Sequence, residues 1–408
     1  MELLDLPWQD RCVDDLTTVA EAATVLELGT AALRDMLGED WEVTVQPEQA
    51  PAPHTGDPGW DAVVRLASRH DSMFTELLVD VRTRITPKDA AGHIASTAML
   101  VRRVNHNTRL MVFAPWISPR TQEELRRREI DYLDLTGNVS LRVTRPAIIV
   151  HTQGAERAPA SHRPSSSKPM LTGPRAGRLV RLLADVKPPY RATDLAKSAG
   201  LSVPYVSKLL DSLEDQLLIE RDGKVVVHVD WQQLLRTRAS SLDLMHHTHP
   251  LGMIAPMGIP AVIDRLVKLD GYVADYEVLV TGSYAARTVA PVAVGGQLML
   301  YTAPDDAVSV RIAKHLGLMP VSEGADVLLL APWDLSVSHR PVRFDRYWQV
   351  GLSQLALDCL SGPGRMPAEG EKVLEYMAEK EGTWRLNELK EAGRHRTSHS
   401  GAGDPSLF

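Results

Sequence analysis

Cysteine is almost missing from this chain. Only Cys12 and Cys359 occur among 408 residues, too few for a disulfide framework, so a reducing, cytoplasmic setting is expected. No run of about 18 uninterrupted apolar residues occurs, which argues against a membrane-spanning helix. The opening "MELLDLPWQDRCVDDL" is acidic, where a secretory signal would be basic and then apolar, so no signal peptide is expected.

What is present is a long chain, 44% hydrophobic and 24% charged, with a formal charge of −7. That length suggests two to four domains. The charge is uneven. Residues 152–239 hold 14 Lys and Arg against nine Asp and Glu, a balance of +5 that leaves −12 for the rest. A positive island in an acidic protein points to a polyanion more directly than the overall figure does.

The first 151 residues read as an α/β domain. An amphipathic helix is expected over 12–37, then β-like runs at 60–68 and 73–84. A helix over 86–104 has Thr86 as N-cap and Pro87 in its first position. A buried strand "RLMVFAPWIS", a helix capped by Ser118, and strands in "DYLDLTGNVSLRV" and "PAIIVHT" complete it. Residues 152–172 have the Pro, Ser, Ala and Gly content of a basic linker. From about 250 to 390 a second α/β unit is expected, with a helix running through "YWQVGLSQLALDCLSG". Residues 391–408 are expected to be a disordered tail.

The strongest pattern is "RATDLAKSAGLSVPYVSKLLDSLEDQLLIERDGKVVVHV", within a segment at 173–240. A helix at 192–198 stops at Gly200, and Ser202 opens a second helix from Val203 to Leu217. Leu195, Ala196, Val206, Leu209, Leu210 and Leu213 face inward at helical spacing, while Tyr205, Ser207, Lys208 and Asp211 stay outside. "LIERDGKVVVHV" reads as a hairpin turning at Asp222-Gly223, and "RAGRLVRLLADV" supplies a third helix. This is the layout of a winged helix-turn-helix, which puts the start of its second helix into a major groove. Ser202, Pro204, Tyr205, Ser207 and Lys208 are expected near base edges or flanking phosphates. Arg178, Arg191, Arg221 and Lys224 are expected to supply sequence-independent attraction.

Several stretches invite catalysis. Metal-assisted phosphodiester cleavage needs at least two carboxylates on the metal and usually a lysine beside the water. Asp61, Glu76 and Asp80 supply acids, but the lysine position reads Arg82, which does not release a proton near neutral pH. An acidic–basic ladder on a sheet is the favoured reading. Asp131 and Asp134, three apart, point to opposite faces of a strand, and a turn-capping role is expected. "VLVTGSYAAR" suggests the Gly-Ser loop of a nucleotidyltransferase-like fold, yet the next strand carries Gln297 and Met299 where metal-binding acids belong. Gly282, Ser283 and Arg287 are then left, at most, to a small ligand. His246, His247 and His249 lack any acid or Cys to complete a metal site and read as a polar interdomain loop. No catalytic residue, metal or cofactor is expected.

Four stretches, the central helix pair, "YLDLTGN", "VTGSYAAR" and "QLALDCLSGPGRMPAEGEKVLEYM", resemble the AbiEi-type transcriptional regulators, the antitoxin side of type IV toxin–antitoxin systems. The resemblance runs in patches over about residues 73–380, with Gln354 to Arg365 its most distinctive run. It implies a repressor of operator repeats, often of its own promoter. It also likens the N-terminal region to a restriction-endonuclease-like fold without its lysine. Placing the winged helix in the middle departs from the simplest antitoxin layout. The expected protein is therefore a cytoplasmic regulator on double-stranded DNA, as a homodimer and with no membrane role. The alternatives are a Mg²⁺-dependent nuclease delivered by the winged helix, or an antitoxin that meets a nucleotidyltransferase toxin directly. A toxin partner and a small ligand both stay open.

Overall fold

The computed structural model describes residues 22–47, 60–104, 108–159, 171–274, 276–290, 295–344, 346–392 and 397–398. These fold as mixed α/β with several sheets. The chain divides into two compact units, Met1–Ser167 with Asp215–Leu217, and Lys168–Glu214 with Leu218–Phe408.

Period-2 alternation builds the first unit. Strand β2 (Ala62–Ser68) buries Ala62, Val64 and Leu66, and β3 (Phe74–Val81) buries Leu77 and Val79. They belong to a seven-stranded sheet whose strands lie side by side in chain order. Its others are β1 (Trp41–Pro47), β4 (Arg109–Ala114), β5 (Asp131–Asp134), β6 (Val139–Val143) and β7 (Ile148–Thr152). Only β3, β4 and β5 run parallel. Helix α1 (Ala22–Leu37) packs its Val25, Ala32 and Leu33 in the apolar cluster on one face, with Leu77, Val79 and Phe113. On the other face Ile94 and Leu125 join Val112 and Tyr132. The expected helix over 12–37 is seen from Ala22, and its first ten positions lie outside the described residues.

Both caps read from the sequence are present. Thr86 Oγ1 accepts from Asp89 N while Asp89 Oδ2 accepts from Thr86 N, a reciprocal capping box. A short helix Pro87–Asp89, a π-turn Ala90–Ile94 and helix α2 (Ala95–Val104) then follow one another. Ser118 Oγ accepts from Thr121 N at the head of α3 (Pro119–Arg127). The strand expected over 73–84 ends at Val81.

In the second unit, α4 (Pro174–Asp185), α5 (Ala192–Ala199) and α6 (Val203–Asp215) accompany a three-stranded sheet. It is ordered β8 (Tyr190–Arg191), β10 (Val225–Val229), β9 (Ile219–Asp222). After α7 (Trp231–Ala239) and α8 (Leu244–Thr248) come β11 (Leu251–Ile254), α9 (Ile259–Lys268), β12 (Leu279–Thr281), α10 (Gly282–Ala286), β13 (Leu298–Tyr301) and α11 (Asp306–Leu316). Then follow β14 (Met319–Pro320), β15 (Val327–Leu330), β16 (Val342–Arg343), β17 (Trp348–Gln349), α12 (Leu352–Leu360), α13 (Met366–Glu379) and β18 (Thr397–Ser398). The eight-stranded sheet is ordered β14-β11-β15-β13-β12-β17-β16-β18.

Segments 173–240 and 250–390 do not have separate cores. One buried cluster runs from Ala176 through Leu210 and Leu300 to Trp384. Arg385 closes the joint, donating to the Ala184 carbonyl from Nε at 2.9 Å and to the Val186 carbonyl from Nη2 at 3.0 Å. Leu386 N donates to Asp185 O and Lys187 N donates to Leu386 O, both at 2.8 Å. Trp384 meets Trp231 edge-on at 5.1 Å between ring centroids.

Two expectations are corrected here. The single helix read through "YWQVGLSQLALDCLSG" begins at Leu352, because Trp348–Gln349 is a strand bonded to Val342–Arg343 and alongside Val280. At Gly351 a Cβ would lie 2.9 Å from the Arg340 carbonyl, so the chain turns between strand and helix where a side chain would not fit. The 391–408 tail is not structureless throughout, since Thr397–Ser398 pairs in parallel with Val342–Arg343. Most of the rest of that tail lies outside the described residues.

Candidate nucleic-acid interface

The turn between α5 and α6 depends on Gly200. Its φ of +64° and ψ of +39° are left-handed, a conformation glycine adopts without steric cost. Leu201 N then returns to the Ala196 carbonyl at 2.9 Å. The expected inward set is buried throughout: Leu195, Ala196, Val206, Leu209, Leu210 and Leu213. Each buried Leu or Val contributes about 1.5–3 kcal/mol, so that face fixes which side of α6 stays outside. Helix α6 ends at Asp215, two residues before the expected Leu217.

On the outer side Ser202, Pro204 and Lys208 are exposed. Ser207 is half-buried, and so is Tyr205, which packs against the core cluster. Burial raises the Tyr205 phenol above its ordinary range, against the opposing pull of Arg175 and Arg238. Arg191, just ahead of α5, is exposed. The hairpin turns on two residues, Gly223 and Lys224, since Asp222 pairs directly with Val225. That is one position later than the Asp222-Gly223 turn expected, with Gly223 at a φ of +58°. Lys224 stands exposed at the tip.

Two of the expected cations are engaged within the protein. Arg178 Nε donates to both carboxylate oxygens of Asp334, at 3.0 and 2.8 Å. Burial pushes Asp334 up, but the Arg178 pair and the Ser336 bonds outweigh it and hold the carboxyl below its usual range. Arg221 donates to Glu214 through Nε at 2.9 Å and to Asp211 through Nη2 at 2.8 Å. It fastens the hairpin to α6, and its charge is largely neutralised there.

Among the described residues the candidate carboxylates of the first unit do not gather into a group of three. Asp61 Oδ2 accepts from Val81 N at 2.7 Å. Asp80 is buried, and Arg82 donates to its Oδ2 through Nη2 at 2.9 Å. Burial raises the Asp80 carboxyl, with Arg82 opposing. Glu76 shares that face but lies four residues back along β3, roughly 13 Å at strand rise. Among the described residues no group of three His, Cys, Asp or Glu is placed to hold a metal ion. The acids of "YLDLTGN" have separate duties. Asp131 pairs with Arg109 at 2.5 Å. Asp134 accepts from Ile117 N at 2.9 Å, and from the backbone and side chains of Thr136 and Asn138.

In the second unit the Gly-Ser turn is filled by its own neighbours. Ser283 Oγ donates to Glu369 at 2.5 Å, and Arg287 lies 3.8 Å over the Tyr284 ring while donating to the Gly295 carbonyl at 2.9 Å. A Cβ at Gly282 would meet Met299 Sδ at 2.9 Å, so that glycine answers to packing. The "MHHTHP" histidines are not in a loop, since His246 and His247 belong to α8 and His249 is its C-cap. Sequence reasoning missed Arg238, which sits in a charged helical stretch, "LLRTRAS", that reads as surface; it is 3% exposed.

No protein-family model matches this chain, and no curated protein is similar to it.

Proposed function

We propose that this protein is a sequence-specific DNA-binding transcriptional regulator, acting as a repressor through a central winged helix-turn-helix made of α4 to α6 and the β9–β10 hairpin. The observation that carries this reading is the outer side of α6. Ser202, Pro204 and Lys208 stand exposed at its N-terminal end, with Arg191 ahead of α5 and Lys224 on the hairpin tip. A helix presented by such a scaffold enters a major groove by its N-terminal half, and the hairpin reaches backbone phosphates. Lys208 with Ser202 and Pro204 reads bases or adjacent phosphates; Arg191 and Lys224 supply attraction independent of sequence. One such module reads few bases, so the working form is a homodimer on a repeated site. The AbiEi-type resemblance agrees with this role and adds autoregulation to it.

The test is a mobility-shift titration on the DNA upstream of the protein's own gene, with and without Mg²⁺. A saturable shift with intact DNA, resistant to unrelated competitor DNA, supports the regulator. Cleavage that requires Mg²⁺ would overturn it in favour of a nuclease centred on Asp80.

A further inference from the structure

Helix α7 ends with two arginines of different fates. Arg236 holds Glu371 through Nη2 at 2.7 Å. Arg238 turns inward, and neither its Nε nor its Nη1, both buried, has a hydrogen-bond partner among the described residues. The ring of Trp333 lies 5.8 Å from its guanidinium carbon. On the α4 side stands Gly177, where even a Cβ would come within 3.0 Å of Nη2. An isolated buried cation is costly.

The guanidinium borders a cavity of about 70 Å³, lined also by Arg181, His247, Trp333, Gln354 and Asp358. A cavity of about 150 Å³ encloses a benzene ring, so this smaller one encloses the carboxylate end of an organic acid and leaves its body towards the rim, where Trp333 is 40% exposed. Trp333 and His247, stacked on each other at 4.2 Å and 4°, are both among its lining residues. Leu242, Leu244 and Leu357 give it an apolar wall.

The charges around the cavity leave one position open. Asp334 is matched by Arg178. Arg181 donates to the carbonyls of Ser336 and His339. Asp358 accepts from Thr281, Tyr301 and Gln354 at 2.6, 3.0 and 2.7 Å. Arg181 and Asp358 attract each other across the lining, so Arg238 is left as the excess positive charge; burial lowers its guanidinium to about 10, still charged at neutral pH.

We propose that this cavity is a binding site for a small planar carboxylate, received by the guanidinium of Arg238, with its flat body along the Trp333–His247 stack. A guanidinium matches a carboxylate in shape and charge. One uncompensated cation calls for one negative charge, and an aromatic and leucine lining calls for an organic body. Inorganic phosphate, smaller and more highly charged, meets neither condition. The site stands independently of the DNA reading.

The test uses the full-length protein and benzoate as probe, with benzamide and inorganic phosphate beside it. Benzoate should bind at one site per chain by calorimetry and raise the melting temperature by mass action. Benzamide, of the same shape without the charge, should do neither. Arg238→Gln should raise the benzoate Kd at least tenfold. Trp333→Ala should do the same, and because Trp333 is 40% exposed its truncation leaves the fold intact should the arginine variant fail to fold. The proposal is overturned by an absence of benzoate binding, by equal binding of benzamide, by phosphate binding in benzoate's place, or by parental affinity in the Trp333 variant.

Discussion

Arg178 of α4 grips Asp334, 156 positions further along, with its Nε 3.0 and 2.8 Å from the two carboxylate oxygens. The pair joins a helix of the proposed DNA-reading module to the loop after β15, and so turns Arg178 away from the phosphate-binding role its sequence suggests. Replacing Arg178 by Ala should leave DNA affinity within twofold of the parent. It should lower unfolding free energy by about 1 kcal/mol, as for a partly exposed pair. Parallel denaturation and mobility-shift titrations measure both, and a large loss of DNA affinity at unchanged stability would return Arg178 to the interface.

Lys208 and Lys224 should separate specificity from attraction. Lys208→Ala is expected to reduce preference for the operator over unrelated DNA. Lys224→Ala should weaken binding to both by a similar factor, and lower the slope of log K against log salt by about one unit. Titrations at four salt concentrations on two duplexes distinguish these outcomes. Equal behaviour of the two variants would contradict the docking proposed for α6.

Asp134→Ala should be severe although no chemistry is assigned to it. Asp134 is fully buried and accepts from three backbone N–H groups and two side chains. Leaving several buried donors without an acceptor costs about 3–5 kcal/mol. Urea denaturation followed by near-ultraviolet circular dichroism reads this out; a loss under 1 kcal/mol would mean that water replaces the carboxylate.

Asp358 gives the protein a pH dependence of definite sign. Burial, opposed by the bonds from Thr281, Gln354 and Tyr301, raises its carboxyl from 3.8 to about 6. The folded state therefore holds the proton more tightly than the unfolded chain does. The resulting contribution is complete below about 3.8 and is lost as pH rises through about 6, a swing of about 3 kcal/mol. Asp358→Asn removes it. The stability of the parent minus that of the variant should fall between pH 4 and 7, and a flat difference would show that Asp358 titrates normally.

Features fixed within a few residues were legible from the sequence alone. Thr86 and Ser118 cap their helices through neighbours three positions away. Gly200 ends α5 because the turn needs a left-handed residue, and the buried leucines of α6 follow helical spacing. What depended on distant partners was not legible. Trp348–Gln349 reads as the start of a helix until Val342–Arg343 pairs with it. Arg221 reads as a free cation until the hairpin folds back onto Asp211 and Glu214. Arg238 follows Arg236 by two residues, and only the packed α4 and the ring of Trp333 set the two apart.

The clasp of Arg385 on the carbonyls of Ala184 and Val186, with the edge-on contact of Trp384 and Trp231, has an engineering consequence. The segment 171–240 is not a portable cassette. Transplanted alone into a chimera, it would carry a bare Trp231 and a frayed end on α4, and it would bring hydrophobic surface rather than a working reader to its host. A transplant that keeps its shape has to extend at least to Leu386, and so takes the aromatic-lined cavity along with it.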